Sequence, residues 1–408
     1  MLAITSKFLF DGEEMLENQA IIFDEKIRAV GPKEKILRKY PEVKVMPFGN
    51  ACIMPGLVNS HIHFEVRQLY GSYQKNLQMT DSVMSFRAAR RALTCLRDGV
   101  TAARDMGHKD NVQWDLKKAV EQGIILGPRI RASRGAIVMN YGHGHLSGWN
   151  VKNLDEALAN IRQQASEGAD FIKILASHDD LPHVKDPDLC VPWWSQQELN
   201  AMAELAHRCG IKITAHTCGS KAIRMVINAG FDSIEHGECI TDDEAIDMQE
   251  KGIVLCPTLT AFKQNADFSW NRGQFFHERS NESWKRHQIS FPNAVKHHVK
   301  MVCGTDNQGN IAEEMELMVS FGMRPVDVLQ CATVNGAQLL EYDDIGFIHE
   351  GYTADFAIIN GNPLEDIKSM RKIPFVIKNG KIYSTKILRE LIPKSELFRD
   401  DPWINDNQ

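Results

Sequence analysis

The chain has no long apolar run. None approaches the ~20 residues that a membrane-crossing helix needs, so no transmembrane segment is expected. The opening residues, Met1 to Lys7, lack a basic region followed by an apolar core, so no signal peptide is expected either. Charge is not strongly of one sign. There are 47 basic and 53 acidic residues among 408, a net charge of −6. That gives no electrostatic reason to expect nucleic acid or an anionic membrane as partner. The nine cysteines are odd in number, scattered and never in Cys-x-x-Cys spacing. This argues against a disulfide framework or a structural zinc module and for a reducing, cytoplasmic setting. No Gly-x-Gly-x-x-Gly follows a strand, so a dinucleotide fold has no support.

What is present is ordinary for a globular protein: 43% hydrophobic and 25% charged residues. Both ends carry short apolar stretches with turn punctuation. Examples are Lys7 to Phe10 before Asp11-Gly12, Ala20 to Phe23, and Phe375 to Ile377 before Asn379-Gly380. Asn-Gly between apolar runs is a strong hairpin signal. Residues 1–56 and 347–408 are therefore expected to build one small β-sandwich domain. The middle, 57–346, alternates strands and helices. Ser195 with Glu198 and Thr241 with Glu244 read as capping boxes, and Gly210, Gly230 and Gly252 as helix stops. About eight short apolar strands are separated by helices, the last of them at Lys300 to Cys303. This predicts an α/β fold with a (β/α)8 TIM-type barrel.

In such a barrel, chemistry sits at the carboxyl ends of the strands. The polar residues there form a pattern. His61 and His63 are two apart, so a strand presents both on one face. Lys173 follows Phe171-Ile172, His216 follows Ile211 to Ala215, His236 follows Ile234-Glu235, and Asp306 follows Gly304-Thr305. Imidazoles and a carboxylate are metal ligands. Lys173 is the discriminating residue, because an ammonium does not ligate a cation and is costly to bury. Carboxylation by carbon dioxide would turn its amine into an anionic carbamate able to bridge two metals. The plainer alternative is an ion pair with Asp170 or Asp179.

The order His-x-His, Lys, His, His, Asp resembles the amidohydrolase superfamily in its binuclear, carboxylated-lysine form. Pro55 to His63, Gly99-Val100-Thr101 with Asp105, Ile234 to Gly237, Gly304 to Asp306 and Gly351 to Asp355 are similar to that superfamily. Gly142-His143-Gly144-His145 looks like the branch holding imidazolonepropionase and the prolidase-like dipeptidases; Lys173 points to the dipeptidase side. The resemblance implies two divalent ions, zinc above manganese or cobalt. His61, His63 and Asp306 would hold one, His216 and His236 the other, with carboxylated Lys173 between them. It further implies a hydroxide shared by the metals as nucleophile, Asp306 as general base and acid, and His143 as donor to the carbonyl or oxyanion; His145 is a weaker candidate.

The expected substrate is a small molecule, a dipeptide or N-acyl amino acid, with Arg or Lys preferred at its C-terminal end. The alternatives are Xaa-Pro dipeptides, or cyclic-amide hydrolysis or deamination on the same scaffold. Tyr141, His143 and Arg134 are candidates for binding the substrate carboxylate. Gln308, Glu238 and Glu65 are candidates for a basic side chain. The stretch Ser177 to Trp194, with Asp179, Asp180 and Trp193-Trp194, is a candidate lid. A homo-oligomer is implied by the resemblance alone.

Overall fold

The computed structural model describes residues 1–65, 79–108, 111–145, 147–179, 190–269, 273–307 and 309–392. The chain begins with an antiparallel meander of β1 (Leu2–Phe10), β2 (Met15–Phe23) and β3 (Ile27–Pro32). β4 (Lys44–Pro47) then pairs in parallel with the first half of β1, and β5 (Cys52–Pro55) with its second half.

From there the chain enters the barrel. Parallel strands β6 (Leu57–Ile62), β7 (Val100–Asp105) and β8 (Arg129–Ala132) pair in order. β9 (Ile137–Met139) and β10 (Trp149–Val151) form a small parallel extension beside β11 (Phe171–Leu175). β12 (Ser177–His178) and β13 (Val191–Pro192) zip together the two ends of the candidate lid. β14 (Lys212–Cys218), β15 (Ser233–Glu238) and β16 (Val254–Cys256) continue the parallel series from β11.

Two joints complete the barrel. The Asp170 N–H donates to the Ala132 carbonyl at 3.0 Å, bringing β11 to β8. The expected strand at Lys300–Cys303 is an extended segment held by isolated bridges, Leu255 with Met301 and Ile62 with Asp306. The Val302 N–H donates to Leu255 O (3.0 Å) and the Ser60 N–H to Cys303 O (2.8 Å), so this segment lies between β16 and β6. It ends at Asp306, whose backbone is left-handed at φ +54°.

The sequence then returns to the first sheet. β17 (Phe356–Ile359) lies antiparallel to β5, followed by β18 (Phe375–Lys378) and β19 (Lys381–Ser384). Both termini thus hydrogen-bond into one eight-stranded sheet. Asn379 (φ +50°) and Gly380 (φ +70°) make the two-residue turn between β18 and β19. Two positive φ values match the right-handed strand twist. A side chain at Gly380 would strike the Asp24 carbonyl oxygen. Ile4, Ile21, Phe23, Ile53, Phe356 and Ile358 form this domain's core, with Phe23 edge-on to Phe356 at 5.6 Å.

Helices cover the barrel through their apolar stripes. Both capping boxes form: Ser195 and Thr241 side chains accept from the third helical N–H, and Glu198 and Glu244 reach back. Gly230 and Gly252 end their helices in left-handed conformation, as expected. Among the described residues, no helix is long and apolar enough to cross a membrane.

Candidate metal centre

The barrel interior is organised around a buried carboxylate that sequence reasoning gave no role. Glu235, on β15, is fully buried. One of its oxygens accepts from Arg104 on β7 and from Thr214 on β14; the other sits 2.6 Å from His61 Nδ1. Burial alone would raise its pKa, but Arg104 and His61 outweigh that and hold it well below the usual carboxylate range. An ionised Glu235 accepts a hydrogen bond from the Nδ1–H of His61. The other nitrogen, Nε2, then faces the cavity with its lone pair free, as a ligand requires.

His61 Nε2 and His63 Nε2 both lie 3.5 Å from one oxygen of Asp306. Burial pushes the Asp306 carboxyl up, while His61 and His63 pull it well below its ordinary value. Arg91 braces the pair by donating to the backbone carbonyls of His63 and Asp306. His236 comes within 5.0 Å of His61, ring centre to ring centre. It follows Glu235 directly, yet both residues serve the site. A regular strand would send them to opposite faces; His236 avoids this with a left-handed φ of +72°. Its Nδ1 lies 2.7 Å from Thr258 Oγ1. Burial, together with His216 and His61, drives its pKa well down and keeps the ring neutral.

Lys173 is 3% exposed, and its Nζ has no hydrogen-bond partner among the described residues. Neither suggested ion pair forms. Asp170 is taken by Lys117 (2.6 Å) and Arg131 (3.0 Å), and Asp179 by His216 (2.6 Å). Burial, only partly offset by Glu235, lowers the lysine's pKa to about 8. Near pH 7 this leaves roughly a tenth of the amine neutral, far more than for an exposed lysine.

His216 keeps its expected neighbour, its ring centre 4.6 Å from that of His236, and has two further ones. Its ring stacks on His143 at 4.6 Å, and its Nε2 meets Asp179, whose other imidazole neighbour is His143 Nε2 at 3.9 Å. Among the described residues, the groups placed to hold a metal at this cavity include His61 with His236 and Asp306, and His143 with Asp179 and His216. Asp179 is thus in the site rather than only on a lid. Its position after β12 was visible, but its tertiary partner was not.

All six expected ligands, with His143, His145, His178 and Asp179, line one cavity of about 350 Å³. Other expectations are placed elsewhere. Tyr141 is 83% exposed and does not line the cavity. Its left-handed backbone, φ +64°, is part of a loop turn. Arg134 points outward to Glu167 (2.9 Å) and the Trp114 ring. Glu65 is buried beneath His63, 3.8 Å from Nδ1, and does not line this cavity. Gln308 and Asp180 lie outside the described residues. Glu238 does line the cavity, and burial, with help from Asp179, raises its pKa to about 8. Phe262, Phe276 and Arg279, which carry no sequence motif, also line it.

The chain resembles known proteins over most of its length. It is 28% identical to ochratoxinase of Aspergillus niger, over 91% of this chain and 84% of that protein. The fold superposes on a Xaa-Pro dipeptidase crystallised with methionine in its active site. The TM-score there is 0.83 at 25% identity, covering 94% of this chain and 99% of the other. The crystal structure of A. niger ochratoxinase gives a TM-score of 0.81 at 26% identity, covering 94% and 95%. Residues 52–383 match the model of the amidohydrolase family. The chain belongs to that family and is a hydrolase with the TIM-type barrel and small β-domain of its structural neighbours.

Proposed function

We propose that this hydrolase cleaves the amide bond of dipeptides or N-acyl amino acids, using two divalent ions held at the barrel mouth. The observation that carries the reading is Lys173. A buried, unpartnered amine surrounded by histidines and an aspartate is costly as it stands. Its lone pair is suited to attack carbon dioxide, forming an N–C bond and releasing one proton. The resulting carbamate would satisfy the buried atom and supply a bridging ligand between His61, His63 and Asp306 on one side and His216 and His236 on the other. Asp179 and His143 stand beside His216 as further donors. When bound, zinc or a similar ion supplies Lewis acidity and lowers the pKa of water.

The chain's own residues supply the rest. Asp306, held ionised, accepts a proton from the attacking water and returns it to the leaving amine. His143, fixed by stacking on His216, donates to the oxygen that gains charge.

For the C-terminal residue, Glu238 supports a basic side chain, since a cation beside it would draw off its proton. Phe262 and Phe276 support a second reading in which an apolar residue or proline is accepted, in line with the similarity to a Xaa-Pro dipeptidase and to ochratoxinase.

The test is amino-acid release from dipeptides and N-acetyl amino acids varied at the C-terminal residue, with zinc and bicarbonate supplied. Release of Arg or Lys supports the Glu238 reading, and release of Pro or aromatic residues the second. Ammonia without amino acid would replace both with deamination.

A further inference from the structure

The helix Gln274–Lys296 brings one residue to the cavity that no motif announces. Arg279 lies in its second turn, 9% exposed, and lines the same cavity as the candidate metal ligands. Its Nη2 is buried without a hydrogen-bond partner, and no ion pair or hydrogen bond of its side chain occurs among the described residues. The other buried arginine of the barrel, Arg104, and the half-buried Arg91 beside the site both have partners. Arg104 has Glu235, Ser233 and the Ser60 carbonyl; Arg91 has two carbonyls. Glu238 shares the cavity wall with Arg279 but makes no ion pair with it.

A guanidinium is a permanent cation with five N–H donors in a planar fork. Burying one without an anion is costly unless a ligand completes it. The natural complement is a carboxylate, which takes two parallel N–H donors from such a fork. We propose that Arg279 is the receptor for the substrate's free carboxylate. The inference rests on the amide-hydrolase reading and sharpens it: the enzyme would select acids over the matching carboxamides. Arg134 and Tyr141, the arginine and tyrosine that the sequence offered for this task, have their side chains outside the cavity.

The experiment compares wild type, Arg279→Lys and Arg279→Met, each as the metal-loaded enzyme. Calorimetry measures binding of leucine, arginine and proline against leucinamide, argininamide and prolinamide. Wild type is expected to prefer the acid by roughly 10- to 100-fold, the range of one charge-assisted contact. The methionine variant should erase that preference, and the lysine variant keep part of it. The methionine variant should also melt no lower than wild type, because an uncompensated buried charge has been removed.

Equal losses for acid and amide, an unchanged preference in the methionine variant, or no preference in wild type would each overturn the proposal. Because product binding needs no turnover, these outcomes stand apart from hydrolysis. A chain that binds acids through Arg279 yet releases no amino acid from any peptide would sink the hydrolytic reading and leave the carboxylate site intact.

Discussion

In the terminal β-domain, Asp355 is 4% exposed and fully engaged. It receives Arg129 and the Asn379 N–H, while its own carbonyl takes the Gly56 N–H. Nearby, Lys26 reaches Asp344 at 2.6 Å and Thr353 at 2.9 Å. At the barrel mouth, Lys173 is buried to the same degree and touches no such partner, and Arg279 and Asn307 also hold unpaired polar atoms. The charged groups of the first region are closed by protein partners, some of them on the barrel; those of the second are left open toward a cavity. An unpaired buried polar atom costs on the order of 1–3 kcal/mol. A fold keeps such a cost where a ligand repays it, so the contrast separates structure from function within one chain.

The sharpest way to break that contrast is at Lys173. Lys173→Ala should lower activity on the order of 10³-fold, the scale of several kcal/mol of lost transition-state stabilisation. Metal analysis should find about one ion per chain where wild type holds two. If the variant keeps a full pair of ions, the bridging carbamate is wrong. Removing carbon dioxide from wild type and then restoring bicarbonate should reproduce the loss and its recovery.

The complementary change is Asp355→Asn. It leaves Arg129 without its carboxylate, and breaking a mostly buried pair of this kind costs about 3 kcal/mol. Chemical denaturation followed by circular dichroism should show the loss. The kcat/KM of the folded variant should stay at the wild-type value, because no link of this pair reaches the cavity. A large kinetic defect with normal stability would mean that the two regions are not separate in the way described.

The parts of this arrangement that sequence revealed are those with local signals. Asn379-Gly380 announced its hairpin because only certain residues accept two successive positive φ values. Ser195 with Glu198 and Thr241 with Glu244 announced helix starts because the cap is completed within four residues. That His61, His63, Lys173, His216, His236 and Asp306 converge on one cavity was legible because a barrel gathers its strand ends at one face. What stayed hidden depends on contacts distant in sequence. Glu235 looks like any strand glutamate until Arg104, some 130 residues earlier, is folded against it. Asp179 looks like a loop acid until His216 meets it. Arg279 sits on a helix whose polar residues point several ways, and nothing local says which face looks into the cavity. Tyr141 misled for the opposite reason: it lies in the right loop, but backbone at positive φ carries its side chain outward.

The smallest predicted effect concerns His287, which stands between the two categories. It is 1% exposed, its Nε2 donates to the Pro257 carbonyl at 2.7 Å, and its ring packs on Phe262 at 4.4 Å. It thus belongs to the scaffold behind the cavity wall. Burial lowers its pKa from 6.5 to about 4, the bond to Pro257 only partly opposing this. The unfolded chain therefore binds more protons than the folded one between these two values. Its stabilising effect is complete above pH 6.5 and fades as pH falls toward 4. At pH 5.5 the loss should be about 1 kcal/mol. His287→Gln keeps a donor for the Pro257 carbonyl but cannot titrate. The variant should start less stable at pH 7.5 and then lose less than wild type on acidification. Parallel stability curves for the two proteins between pH 7.5 and 5 would show that the ring's protonation is not coupled to folding, and His287 would then belong with the open, ligand-facing groups instead.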